Sequence, residues 1–284
     1  MSSVIKKHVV KLSNGRTCKI NTETYGSAND VVNDCKSREN TDYRFHDYKN
    51  ERIDEEWTGC KTYDEALELL KVGYQPTVEK FKETMKIKAA GEGKRIKFQN
   101  GIQGFAPVVP LALMGVPKSM IDMTMKPIKC KVIDVYYDMT SHCGVEKEEI
   151  IANGQKILGA ITELEKQGYR FNLYAIQSYA SDDATSCDML CVKVKSSDRP
   201  LDLKRISFPL THPAFFRVIG FDWYGKFPIG KYRSGYGRGI AYELGEGSLK
   251  EVTKQLFGDN AIYMAAAKMY GDVDHLKEVL TNEK

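Results

Sequence analysis

Residues 129–137, Lys129-Cys-Lys-Val-Ile-Asp-Val-Tyr-Tyr137, form a nearly continuous apolar run, and residues 148–167 follow it with apolar residues at helical spacing. Ile150, Ile151, Ile157, Leu158, Ile161 and Leu164 fall on one side of that helix, and Gly168 stops it. Tyr169–Gln177 then reads as a second strand, Ser178–Cys187 as a polar loop and Asp188–Lys195 as a third strand. A helix between the first two strands requires a right-handed parallel crossover. The short loop before the third strand permits only antiparallel pairing. Farther on, Ser248-x-x-Glu251 reads as the cap of a helix ended by Gly258, Ala261–Lys268 as a strand and Asp272–Asn282 as a last helix. This order predicts an α/β, Rossmann-like, mostly parallel sheet over residues 126–284.

Residues 1–125 read as an N-terminal α+β extension. Alternation over 4–20 breaks at Asn14-Gly15, so strands are expected near 4–12 and 16–20 with a hairpin turn between them. Residues 21–56 are polar and charged and read as loop with a short helix. Thr62-x-x-Glu65 is a capping box ahead of Ala66, Leu67, Leu69 and Leu70, with Gly73 as the stop. A second helix is expected over about 77–90, residues 91–104 read as a glycine- and charge-rich linker, and Pro107, Pro110 and Pro117 mark an irregular segment.

With 42% hydrophobic and 28% charged residues in 284, the chain has the composition of a globular protein able to bury a core. The net charge of +4 is too small to point to nucleic acid, so that reading needs local clustering. No run approaches the ~18 apolar residues of a membrane span, and the first residues lack the apolar core of a signal peptide. The seven cysteines are irregularly spaced, without a Cys-x-x-Cys pair, and read as reduced thiols of a cytoplasmic protein.

The order of elements, with its antiparallel third strand, resembles the von Willebrand factor A domain. In that family the first strand ends in Asp-x-Ser-x-Ser, whose oxygens hold a divalent cation together with a later threonine and aspartate. Here the strand ends Asp138-Met139-Thr140-Ser141-His142. Asp138 and Thr140 match, His142 replaces the second hydroxyl, Asp272 is a candidate for the later aspartate and Thr211 for the later threonine. An imidazole suits Mg²⁺ poorly, so no cofactor is expected, with Mg²⁺ at Asp138, Thr140 and Asp272 as the lesser alternative. A second resemblance runs from Trp57-x-Gly59 through Glu65-Ala66-Leu67, Pro107-Val108-Val109-Pro110, Gly115-Val116-Pro117 and Pro200-Leu201-Asp202-Leu203 to His212-Pro213-Ala214-Phe215. It is similar to an uncharacterised family of tailed bacteriophages, which implies an accessory or host-interaction role, in the host cytoplasm, rather than a metabolic enzyme.

Phosphate-loop, dinucleotide and zinc-hydrolase motifs are missing from the sequence. Ser141-His142-Cys143 is set aside as a nucleophile because neighbouring side chains of an extended segment diverge, and His212 before Pro213 reads as a helix cap. The richest stretch is Gly225–Gly239, whose cations Lys226, Lys231, Arg233 and Arg238 alternate with Phe227, Tyr232 and Tyr236, after Trp223 and Tyr224 and without an acid. Cations suit phosphates and rings offer stacking faces, while Trp, Tyr and Arg also dominate protein-binding hot spots. Three readings remain open there: a protein partner, a nucleic acid, or a loop whose aromatics are buried. The expectation is a non-enzymatic protein that binds a protein partner, with nucleic acid as the alternative and a metal-dependent enzyme third; oligomeric state is not legible.

Overall fold

A computed structural model describes residues 3–38, 49, 53–75, 94–127, 132–166, 168–181, 183–227 and 238–266. The expected helices over 77–90 and 272–282 lie outside the described residues.

Six strands form one mixed sheet in the order β1-β2-β8-β7-β6-β9: β1 (Val4–Lys11), β2 (Thr17–Tyr25), β6 (Val132–Asp138), β7 (Arg170–Ala180), β8 (Ser186–Lys195) and β9 (Ala261–Ala265). β6 is parallel to both β7 and β9, while β8 runs antiparallel to β7, as the connections require. The hairpin turns at Gly15, in the left-handed region at φ 83°, and β2 then lies parallel to β8. The sheet therefore crosses the 125/126 division drawn from sequence. The reason is physical: β8 would otherwise present an open edge, and β2 pairs that edge while burying Cys18 and Ile20.

Helices cover both faces, which is why β6 and β8 read as nearly continuous apolar runs. On one face α5 (Lys147–Lys166), α6 (Leu203–Thr211), α1 (Ala28–Ser37) and α3 (Tyr63–Val72) enclose Ile133, Val135, Phe171, Leu173 and Val192. On the other, α8 (Ile240–Glu243) and α9 (Glu246–Phe257) cover Tyr136, Ile176, Met189 and Cys191. The capping box forms in part: Thr62 Oγ1 accepts the Glu65 amide at 3.1 Å, but Glu65 reaches back to the amide of Lys61, one residue earlier than a regular box.

The short helix expected within 21–56 is the ten-residue α1, capped by Ser27 and buried through Val31, Val32 and Cys35; the end of β2 precedes it and the single turn α2 (Glu55–Thr58) follows. Two expectations are corrected. The linker of 91–104 contains β3 (Lys94–Gly101), which pairs with β5 (Met120–Pro127), itself joined by β4 (Ala106–Pro107), in a separate three-stranded sheet. The short helix α4 (Val109–Leu113) lies between β4 and β5. Gly91 and Gly93 obscured the alternation of Ile96 and Phe98 in the sequence. Finally, α9 starts at Glu246 after Gly245, one turn earlier than the Ser248 cap; Glu251 instead accepts from the amide and hydroxyl of Ser13, tying the hairpin to α9.

The α5–α6 contact depends on Gly154. A Cβ built there would lie 2.2 Å from the Leu210 carbonyl oxygen and 2.6 Å from Thr211 Cα, both backbone atoms. Gly154→Ala is therefore expected to destabilise by about 1–3 kcal/mol, as overpacking does. Gly247→Ala in α9, where nothing lies within 4 Å, is expected to stabilise by up to about 1 kcal/mol through helix propensity. Urea denaturation midpoints that move the same way in both variants would contradict this.

Among the described residues, no helix is long and apolar enough to cross a membrane. Cys18, Cys35, Cys60, Cys187 and Cys191 are buried free thiols, Cys143 is an exposed one, and Cys130 lies outside the described residues. Burial pushes the thiols of Cys35 and Cys60 up to about 12.

Candidate functional site

Connections leave β6 in two directions. α5 crosses to β7 on one side, and the chain returns to β9 on the other, so the carboxyl ends of β6 and β9 flank a topological switch point, where open α/β sheets place their sites. Asp138 is the last residue of β6 and is buried at 1% exposure. Its Oδ1 accepts the Thr140 amide at 2.9 Å, and its Oδ2 accepts hydroxyls from Ser178 at the end of β7 and Tyr263 on β9. Thr140 Oγ1 accepts the Ser178 amide at 3.0 Å and donates to the Ser178 carbonyl at 3.2 Å. Burial raises the pKa of Asp138, and the hydrogen bonds from Ser178, Thr140 and Tyr263 oppose the shift. Burial, and then the neighbouring Asp138, push the Tyr263 phenol well above its usual value.

The end of the glycine-rich stretch lies directly on this cluster. The Ile240 amide donates to Ser178 Oγ at 3.0 Å, and the Ala180 amide to the Arg238 carbonyl at 3.2 Å. A Cβ at Gly239 would come 3.0 Å from Ser178 Oγ and 3.2 Å from Thr140, so glycine allows the close approach. The two stretches singled out from sequence thus meet: Asp138 and Thr140 support the segment that leaves the loop.

The metal set is not assembled among the described residues. No group of three His, Cys, Asp or Glu side chains there is arranged to hold an ion. Thr211, the candidate later threonine, donates to the Ser207 carbonyl within α6, and Asp272 lies outside the described residues. Asp138 uses both oxygens on protein donors.

His142 and Cys143 correct another expectation. Their segment turns rather than extending, with the Val145 amide on the His142 carbonyl, and Cys143 Sγ comes 3.8 Å from His142 Nδ1. Both are exposed. The same Nδ1 accepts the Gly144 amide at 3.1 Å, so His142 serves to close its own turn. The buried Arg217, in the π-helical turn Phe215–Gly220, fixes this loop by donating to the carbonyls of Trp57 and Val145, with its guanidinium 4.7 Å from the Trp57 ring. His212 caps as expected, its Nδ1 accepting the Ala214 amide at 3.2 Å.

The predicted partner-binding residues divide. Trp223 lies in α7 (Phe221–Tyr224), is buried at 1% exposure and donates its indole N–H to Glu23 at 3.0 Å. Of the readings left open for this stretch, Trp223 follows the one in which the aromatics are buried: composition cannot tell a binding tryptophan from a core one. Lys226 pairs with Glu23 and lies over the Trp223 ring, and Phe227 packs half-buried against Trp223 and Tyr224. Arg238 pairs with Glu243 at 3.3 Å and covers the ring of Tyr242. Lys231, Tyr232, Arg233 and Tyr236 lie outside the described residues.

Sequence reasoning missed a different surface. No described side chain between residues 98 and 123 is buried. Phe98 on β3 faces Met123 on β5, and the rings of Phe98 and Phe105 meet edge-on at 6.2 Å. Phe98, Ile102 and Phe105 are exposed by 61–71%, and Leu113 at the end of α4 and Met114 just after it by 84% and 69%. On the other side of the sheet the register sets Gln99 opposite Asp122. The available signal was the uncharged run of residues 101–117.

The family model for a domain of unknown function, DUF7192, matches residues 7–275, and the chain belongs to that family. Neither the curated proteins nor the solved structures gave a match.

Proposed function

We propose that this DUF7192 chain is a non-enzymatic binding protein, and that its partner is a protein recognised through the apolar surface of residues 98–123. One observation carries the reading: residues 98–123 expose large apolar side chains from strand and helix, and no described side chain among them is buried. Soluble chains rarely leave a contiguous apolar area of that kind uncovered unless something binds it. Two further features support the reading. The polar cluster at the switch point is closed over by residues 238–240, with Asp138 satisfied by protein donors. Lys226 and Arg238, two of the four cations that favoured nucleic acid, are held by Glu23 and Glu243.

The finer fold reading is a von Willebrand A-like domain, supported by the order β8-β7-β6-β9 with β8 antiparallel. The sequence resemblance to a tailed-phage family supports an accessory or host-interaction role, exercised in the host cytoplasm.

The test is affinity capture from host lysate by a tagged chain, before and after nuclease, with untagged copies present. Phe105→Ser with Leu113→Ser is expected to weaken capture of the protein partner at least tenfold, since a hot-spot side chain contributes about 1–2 kcal/mol and 1.4 kcal/mol is tenfold. Capture that nuclease abolishes, that falls with salt and that Lys231→Ala with Arg233→Ala removes would overturn the reading in favour of nucleic acid.

A further inference from the structure

We infer that the occupant of the apolar face is a second copy of this chain, which makes the protein a two-fold dimer through its β3-β5-β4 sheet and α4. The inference rests on the reading that residues 98–123 bind protein, and it names the partner.

The first ground is the incompleteness of the small sheet. Three strands need an apolar face packed against a second layer to be stable. Here one face carries Phe98 and Met123 with Phe105 beside them, and no described side chain of residues 98–123 is buried. An identical sheet, turned over by a two-fold axis, supplies the missing layer in an aligned face-to-face packing.

The second ground is area. Eight large apolar side chains between residues 98 and 123 are each exposed by 36–84%. At roughly 100 Å² apiece, below the 150–250 Å² that a whole aromatic side chain buries, they offer on the order of 800 Å², about what each partner gives a standard interface. A surface of this size falls within the range of standard protein interfaces.

The third ground is composition. Residues 101–117 contain no Asp, Glu, Lys or Arg. Transient interfaces are as polar as ordinary protein surface, whereas homodimer interfaces are richer in apolar area and poor in charge at their centres. The opposite face, where Gln99 stands across from Asp122, remains in water.

Sedimentation equilibrium of the full chain over a range of concentrations tests the inference. The wild type is expected at twice the chain mass. Phe105→Ser with Leu113→Ser, and separately Phe98→Lys, are expected to raise the dissociation constant at least 100-fold, because each substitution acts twice across a two-fold axis. Their circular dichroism should match the wild type, because the altered side chains are exposed within each copy. A dimer that neither variant weakens would overturn the inference, since another surface would then hold it. A monomeric wild type that binds an apolar fluorescent dye, lost in the variants, would overturn the dimer and leave the protein-binding reading standing. A monomer that binds no dye would overturn both, and a monomer that partitions onto phosphatidylglycerol vesicles would replace the second copy with a lipid surface.

Discussion

Asp138→Ala is expected to destabilise the protein by about 3–5 kcal/mol, the combined cost of leaving buried hydrogen-bond donors without their acceptor. The carboxylate accepts the Thr140 amide and the hydroxyls of Ser178 and Tyr263, and alanine leaves all three facing a void. Each buried donor that loses its acceptor costs about 1–3 kcal/mol, offset where a hydroxyl can rotate to a neighbour. Asp138→Asn keeps the volume and one acceptor, and the Ser178 and Tyr263 hydroxyls can turn to accept its amide, so a loss of about 1–2 kcal/mol is expected. Urea denaturation gives both values. Amide exchange gives a second readout, because the Ile240 amide depends on Ser178 Oγ, which Asp138 holds; it should exchange faster in Asp138→Ala. A loss below about 1 kcal/mol with unchanged exchange would mean that the cluster does not hold down residues 238–240.

The fold was legible where burial is two-sided. β6, α5, β7 and β8 could be placed because a strand covered on both faces is dominated by apolar residues, with few polar ones among them, and because the α5 face repeats at helical spacing over 20 residues. α1 was expected but could not be placed: three buried residues among ten give little periodicity, although Ser27-x-x-Asp30 at its start was a usable cap signal. β3 failed for a related reason, since its described side chains from Phe98 to Asn100 are exposed and its charged residues read as polar linker.

The candidate site divides in the same way. Asp138 and Thr140 could be named because they lie at a strand end in one stretch of sequence. Ser178 and Tyr263 could not, because they reach Asp138 from two other strands through the sheet register, 40 and 125 residues away. Trp223 shows the limit of composition most directly. The aromatic and basic residues that signal a binding loop also form a core edge in which Glu23 receives both the indole N–H and Lys226.

Acid should unfold this protein partly through His212. The imidazole is 2% exposed, stacked on Phe208 at 5.0 Å and met edge-on by Tyr74 at 4.6 Å. Its Nδ1 accepts the Ala214 amide, which only an unprotonated nitrogen can do. Burial, and then the charge of Lys147, lower its pKa from 6.5 to about 4. The unfolded chain therefore binds this proton more readily than the folded one between those values. The stability His212 allows is fully present above pH 6.5 and is lost as pH falls toward 4, by about 3 kcal/mol in all at 1.36 kcal/mol per pH unit. In His212→Asn the side-chain oxygen can take the Ala214 amide without titrating. Carboxylates titrate in both proteins, so the difference between the two stability curves isolates His212. From pH 7.5 to 4.5 the wild type is expected to lose about 2.5 kcal/mol more than the variant, measured by urea denaturation. Curves that stay parallel within about 0.5 kcal/mol would mean that His212 takes its proton in place, with the helix start at Pro213 rearranging around it.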